Sequence, residues 1–139
     1  MIGPTGGRLM YLAGPLDGLE HDGTAWYDEF NAIRPDDVVA FMPGRAYQGA
    51  SENPAATSVA NRAMIMASLG VVADLSGPGR ALGTIREIEL AKGLGKPVLV
   101  VGDLSASLAS YDLMTFPDLQ GVVDHMTSRS PFVIRDTGK

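Results

Sequence analysis

Four stretches of this chain, Arg8–Ala13, Val38–Met42, Leu69–Leu75 and Pro97–Val101, are apolar at nearly every position rather than at every second one. A strand with one wet face alternates between apolar and polar residues. A strand that is apolar throughout has both faces buried, which is the mark of a parallel sheet covered on its two sides. Turn-forming residues close each stretch: Gly14-Pro15, Pro43-Gly44, the loop Ser76–Arg80, and Gly102. Between them lie segments with helical spacing. Thr24–Ile33 repeats Trp26, Phe30 and Ile33 and has Thr24 as a cap. Asn53-Pro54, a cap followed by proline at the first helical position, opens a helix to about Ser68. A third helix follows Gly77-Pro78-Gly79-Arg80 and runs to about Leu94, ended by Gly95.

Strands alternating with helices in this way predict an α/β fold: a three-layer, flavodoxin-like (Rossmann-like) parallel sheet of about five strands flanked by helices. Beyond Gly102 the pattern weakens, to a short helix near Ser107–Leu113 and a last strand between Gly121 and Ile134. Ligands of such sheets bind beyond the C-terminal strand ends, where the strand order reverses. That directs attention to the loops after the first and third strands.

At 139 residues the expectation is one domain, residues 1–139, with 1–7 a loose lead-in. The 45% hydrophobic and 19% charged fractions are ordinary for a globular protein. A net charge of -5 argues against a nucleic-acid polymer as partner, but not against a small phosphorylated ligand. There is no cysteine, hence no disulfide framework and no thiol nucleophile. His21 and His125 stand alone, so no metal site is expected. No apolar run approaches the roughly 20 residues of a membrane span. The N-terminus lacks the form of a secretion signal, and the expected location is the cytoplasm.

The residue most able to carry chemistry is Glu87, in Gly83-Thr84-Ile85-Arg86-Glu87. A carboxylate in the first turn of a helix is favoured in its ionised form by the free N–H groups and the helix dipole, as a nucleophile requires. The alternative is a capping box, with Glu87 bonded back to the backbone of Thr84. Tyr11, near the end of the first strand, either touches a reacting carboxylate or is a core tyrosine with a satisfied hydroxyl. Gly14, followed by Pro15, either turns the chain or lets a ligand approach the backbone. Asn61 either faces solvent or joins the site. Ser76, Gly79 and Arg80 precede a helix N-terminus and are candidates for holding an anion. The Gly-Lys-Ser/Thr ending of a Walker loop is absent. Trp26 and Tyr27 are candidates for stacking on a base, with Trp26 at core spacing.

Taken together these pieces resemble the nucleoside 2-deoxyribosyltransferase family, including the related deoxynucleoside 5′-monophosphate N-glycosidases. The resemblance covers Tyr11 to about Met114. It is carried by Tyr11-Leu12-Ala13-Gly14-Pro15, by Asn61 with Val71-Val72-Ala73-Asp74-Leu75, and above all by Gly83-Thr84-Ile85-Arg86-Glu87-Ile88 with Ala91 and Gly95-Lys96-Pro97-Val98. It implies a double displacement: the family's glutamate, here Glu87, attacks the anomeric carbon, the base departs, and a second base or water resolves the glycosyl-enzyme. Tyr11 falls on the tyrosine that orients the glutamate. Gly83 and Thr84 fall in the substrate pocket.

Three positions depart from the family pattern. Asn61 stands where the family has an aspartate that handles protons on the base; an amide cannot do so, and either Asn61 only binds while Asp17 or Asp74 compensates, or turnover is slow. Ala81 replaces a sugar-holding acid, with Arg80 beside it suited to a 5′-phosphate. Asp112, followed by Met114, stands in a segment that in the family reaches the neighbouring subunit's pocket, where asparagine is usual. The resemblance therefore implies a shared site in a homodimer or higher oligomer, a nucleoside or nucleotide substrate and no cofactor. From a different class, a nucleotide-binding sensor or scaffold would keep the pocket without the chemistry. A flavodoxin-like electron carrier would need flavin-flanking aromatics that the sequence does not supply.

Overall fold

The computed structural model describes residues 7–14, 25–43, 54–76, 82–104, 108, 111 and 113–128. The chain folds as β1 (Arg8–Ala13), α1 (Ala25–Ile33), β2 (Val38–Phe41), α2 (Pro54–Ala67), β3 (Gly70–Asp74), α3 (Leu82–Gly93), β4 (Val98–Val101), β5 (Met114–Phe116) and α4 (Leu119–Ser128). The five strands form one parallel sheet in the order β2-β1-β3-β4-β5. The chain moves one way from β1 to β2 and the other way from β3 onward, so the order reverses between β1 and β3.

The all-apolar strands are explained by the two layers they separate. Met10 and Leu12 of β1, Val72 of β3, and Leu99 and Val101 of β4 face one side. There they pack with Tyr27 and Phe30 of α1 and Leu119, Val122, Val123 and Met126 of α4. Tyr11, Ala13, Val71, Ala73, Val98 and Val100 face the other side, against Ile65 of α2 and Ile88 and Ala91 of α3. Side chains alternate faces along a strand, so every residue must be apolar when both sides are covered. Each fully buried Leu, Ile or Phe stabilises by about 1.5–3 kcal/mol relative to exposure.

The first four strands and three helices lie where the sequence placed them, to within a residue or two. The end of the chain differs. Among the described residues the last strand is Met114–Phe116 and Leu119–Ser128 is a helix, so the expected strand is not formed over 121–128, and 129–134 lie outside the described residues. Met114 and Thr115 are exposed on an edge strand of three residues, which carries no apolar run to read. Leu119, Val122, Val123 and Met126 are the buried face of α4, at helical spacing. Val122 and Val123 have high β-propensity, but their packing in the core overrides it. Of the expected helix at 107–113 only Leu108, Tyr111 and Leu113 are described, with the Tyr111 amide donating to the Leu108 carbonyl at 3.0 Å. The lead-in 1–6 and the caps Thr24 and Asn53 lie outside the described residues.

Two local devices fix the frame. Gly95 ends α3 with φ of 76°, and the amides of Gly95 and Lys96 donate to the carbonyls of Lys92 and Ala91 at 3.0 and 2.9 Å. This is a Schellman cap, whose left-handed position suits glycine. At the N-terminal edge of the sheet, Arg8 makes a two-pronged ion pair with Asp37: Nε to Oδ2 is 2.6 Å and Nη2 to Oδ1 is 2.8 Å. Arg8 Nη1 also donates to the Met126 carbonyl at 3.4 Å, so one buried guanidinium joins β1, the turn before β2 and α4. The Arg8 partner holds the Asp37 carboxyl below its usual value of 3.8.

Candidate active site

The site starts from register. Tyr11 is the fourth residue of β1 and pairs with Phe41 on β2 and Val71 on β3. Alternating with Met10 and Leu12, it turns its ring to the α2/α3 side, where it is fully buried and stacks on Phe41 with centroids 5.7 Å apart. On α3 the buried stripe is Thr84, Ile88 and Ala91, and Glu87 lies at its margin, half-buried. The Tyr11 hydroxyl donates to Glu87 Oε2 at 2.7 Å. Asn61 projects from α2, also half-buried, and its Nδ2 donates to the same oxygen at 3.4 Å. Three elements thus meet on one carboxylate beside the point where strand order reverses.

This geometry settles several alternatives. The capping box is not formed: α3 begins at Leu82, Thr84 is its third residue, and the Glu87 carboxylate bonds to Tyr11 and Asn61. Glu87 is the sixth helical residue, in the second turn rather than the first. The helix dipole acts mainly within the first turn, so the expected stabilisation of its charge is lost. Burial pushes the Glu87 carboxyl above its ordinary value of 4.5, and the Tyr11 hydrogen bond opposes this. The carboxylate is therefore more basic than the sequence suggested, a property that strengthens a nucleophile once ionised. Tyr11 combines its two readings, core residue and partner of the carboxylate. Asn61 does not face bulk solvent. Its Oδ1, like Thr84 Oγ1, is buried with no hydrogen-bond partner among the described residues.

Other expected site residues are more scattered. A Cβ on Gly14 would fall 2.8 Å from Trp26 Cζ2 and 2.9 Å from its Nε1. The close approach that Gly14 permits is thus made by an indole ring, not left open for a ligand. Trp26 lies on the α1 side of the sheet, partly buried, with Nε1 buried and unpartnered among the described residues. Tyr27 is wholly within the core and presents no face to a base. Ser76, exposed after β3, donates its amide and hydroxyl to Asp74 Oδ1 at 2.9 and 2.5 Å. This ties Asp74 into a local turn at the strand end. Gly83 is inside α3 and Thr84 is buried within its first turn. Met114 is on β5, three strands from Tyr11 and 45% exposed. Pro15, Asp17, Gly79, Arg80 and Asp112 lie outside the described residues.

Sequence reasoning did not find the stacking of Phe41 on Tyr11. The signal was a second aromatic at the end of β2, interpretable only once β1 and β2 are paired. Gly14→Ala is expected to displace the indole and cost about 1–3 kcal/mol by overpacking. Trp26 is the sole tryptophan, so a changed emission spectrum and a lowered melting temperature would report it directly.

No described helix is long and apolar enough to cross a membrane. Among the described residues no group of three His, Cys, Asp or Glu could hold a metal ion. No curated protein matches the chain in sequence. The fold is shared with several solved structures. The 2-deoxyribosyltransferase of the psychrotolerant bacterium Bacillus psychrosaccharolyticus superposes with a TM-score of 0.69 at 18% identity, covering 84% of this chain and 91% of that one. A conserved protein of Enterococcus faecalis V583 gives 0.70 at 18% identity, covering 88% and 99%. The 2-deoxyribosyltransferase of Leishmania mexicana gives 0.58 at 28% identity, covering 81% and 76%. The sequence profile of nucleoside 2-deoxyribosyltransferases matches residues 10–127, which include most of β1, the Tyr11–Glu87 pair and most of α4. The chain therefore belongs to the nucleoside 2-deoxyribosyltransferase family and is an enzyme of that type.

Proposed function

We propose that this enzyme breaks the N-glycosidic bond of a deoxynucleoside, or of its 5′-monophosphate, by double displacement at Glu87. The observation that carries this reading is the 2.7 Å hydrogen bond from Tyr11 to Glu87, between residues 76 positions apart. In the first step a Glu87 oxygen bonds to C1′ as the C1′–N bond breaks, and the electron pair leaves on the base, which takes up a proton. In the second, an incoming base or water attacks C1′, the ester C–O bond breaks, and its pair returns to Glu87 while the incoming group sheds a proton. The scheme is that of a retaining glycosidase, and the adjacent carboxylate stabilises the oxocarbenium-like transition state.

Arg80, with the Ser76–Gly79 loop before α3, would receive a 5′-phosphate; Pro15, Asp17, Gly83 and Thr84 would line the sugar side. Asp112 and Met114 would complete the site of a neighbouring subunit in a homodimer or larger assembly. The exposure of Met114 on the sheet edge supports that arrangement.

The test is to incubate the protein with a panel of deoxynucleosides and their monophosphates, with and without an acceptor base. Base release by wild type that disappears in Glu87→Ala supports the enzyme, and a new nucleoside formed with the acceptor marks transfer rather than hydrolysis. Tight binding with no release by wild type on any member would overturn the proposal in favour of a nucleotide sensor.

A further inference from the structure

The two donors that reach Glu87 do not share its carboxylate evenly. Tyr11 and Asn61 both point at Oε2, and no hydrogen bond among the described residues reaches Oε1. Asn61 Nδ2 makes the only hydrogen bond of its amide, since Oδ1 has no partner among the described residues. Turned the other way, the amide would set Oδ1 against an ionised carboxylate oxygen, acceptor against acceptor. The donor orientation is therefore the one that an ionised Glu87 selects.

We infer that Asn61 is a positioning residue that, together with Tyr11, ties down Oε2 of Glu87 and leaves Oε1 as the oxygen that attacks C1′. The inference deepens the proposed displacement and rests on it. When Oε1 bonds to C1′, Oε2 becomes the carbonyl oxygen of the ester and still accepts both hydrogen bonds. When the second nucleophile arrives, the same two donors stabilise the departing carboxylate. An ionised aspartate at position 61 would instead face Oε2 with like charge. The asparagine thus gives up proton transfer to the base and gains a neutral donor to the nucleophile.

The groups around Glu87 make its titration a direct readout. From β1 it meets Tyr11 and from α2 Asn61; Arg62 on α2 and Arg86 on α3 are exposed. Asp74, at the end of β3, is bonded to Ser76, Glu89 of α3 makes no hydrogen bond to Glu87, and β4 is Val98–Val101 without a charge.

The experiment labels the glutamate side-chain carboxyls with carbon-13 and titrates them by NMR in wild type, Asn61→Leu and Asn61→Asp, with Glu87→Gln assigning the resonance. The Glu87 midpoint is expected to rise by about one pH unit in Asn61→Leu, from loss of a donor to the charged form. In Asn61→Asp the pair is expected to titrate with an upper apparent midpoint about two units higher, from like-charge repulsion. The acid limb of the rate profile should move with the midpoint in both variants, and in Asn61→Leu kcat should fall with KM little changed. Midpoints unchanged in both variants would overturn the role given to Asn61. Asn61→Asp is nearly isosteric, so it keeps the test available should the leucine variant not fold. If wild type releases no base while the midpoints move, the displacement fails and the Asn61–Glu87 contact stands on its own.

Discussion

Glu87→Gln is expected to lower base release on the order of 10^4-fold or more, the scale of loss when a nucleophile is removed. Substrate binding should change little, because the amide keeps the volume of the side chain and its contact with Tyr11. The same substitution is expected to leave the protein as stable or slightly more stable at neutral pH. Burial raises the Glu87 carboxyl above its ordinary value of 4.5, so the folded state binds the proton more tightly than the unfolded chain does. Its contribution to stability is present at low pH and is lost as pH rises from that value through the folded one. Glutamine removes this loss. Activity runs the opposite way, since the nucleophile must be ionised: the rate should fall on acidification at a pH above 4.5. Tyr11→Phe removes the hydrogen bond that lowers the carboxyl and should move that acid limb to still higher pH. Thermal melts and rate profiles between pH 4 and pH 9, on the wild type and both variants, check all three signs; an acid limb that Tyr11→Phe leaves in place would contradict the assignment.

Asp37→Ala should do the reverse, reducing stability while sparing the chemistry. It leaves the buried Arg8 guanidinium without its carboxylate partner, a change that costs about 3–5 kcal/mol for a fully buried pair. Asp37 is 33% exposed, so water offsets part of this, and a loss of about 2–3 kcal/mol is expected. The lowered Asp37 carboxyl contributes stability that is present above its ordinary value of 3.8 and lost as pH falls through the folded value. The variant should therefore differ most from wild type above pH 4 and converge with it in acid. Denaturant melts at several pH values measure the difference; KM and the acid limb of the rate should be those of wild type, because Arg8 lies at the opposite end of β1 from Tyr11's pairing with the site.

How far the sequence disclosed this architecture follows from where burial is total. Strands β1, β3 and β4 are buried along nearly their whole length, so almost every residue reports the fold; β2 lies at the sheet edge with Val39 exposed but is still apolar throughout, and the limits of all four were legible to within a residue or two. The edge strand Met114–Phe116 is short, with its first two residues exposed, and therefore leaves no apolar trace; the strand expected instead between 121 and 134 falls, over 121–128, on the helix α4. At the site, the residue types and the order Tyr11, Asn61, Glu87 were legible, but their distances were not. The first-turn placement of Glu87 failed because α3 starts before Gly83, a residue that reads locally as part of a loop. Asn61 was ambiguous because a polar residue on a helix is usually solvated, and only the crossing of α2 and α3 brings its amide to the carboxylate. Trp26 over Gly14 depends on how α1 crosses the end of β1, which no local pattern encodes.

The division of the sheet into two unlike layers has a consequence for how such a protein can change. Tyr11, Asn61 and Glu87 all belong to the α2/α3 side, whereas Phe30, Val122 and Met126 belong to the opposite side. Mutations that repack the second group alter how firmly the scaffold is held but meet the reacting atoms only through the strands between. One layer is thus free to drift toward tolerance of heat or cold while the other conserves its reactivity, and the two traits can be selected, or engineered, almost independently.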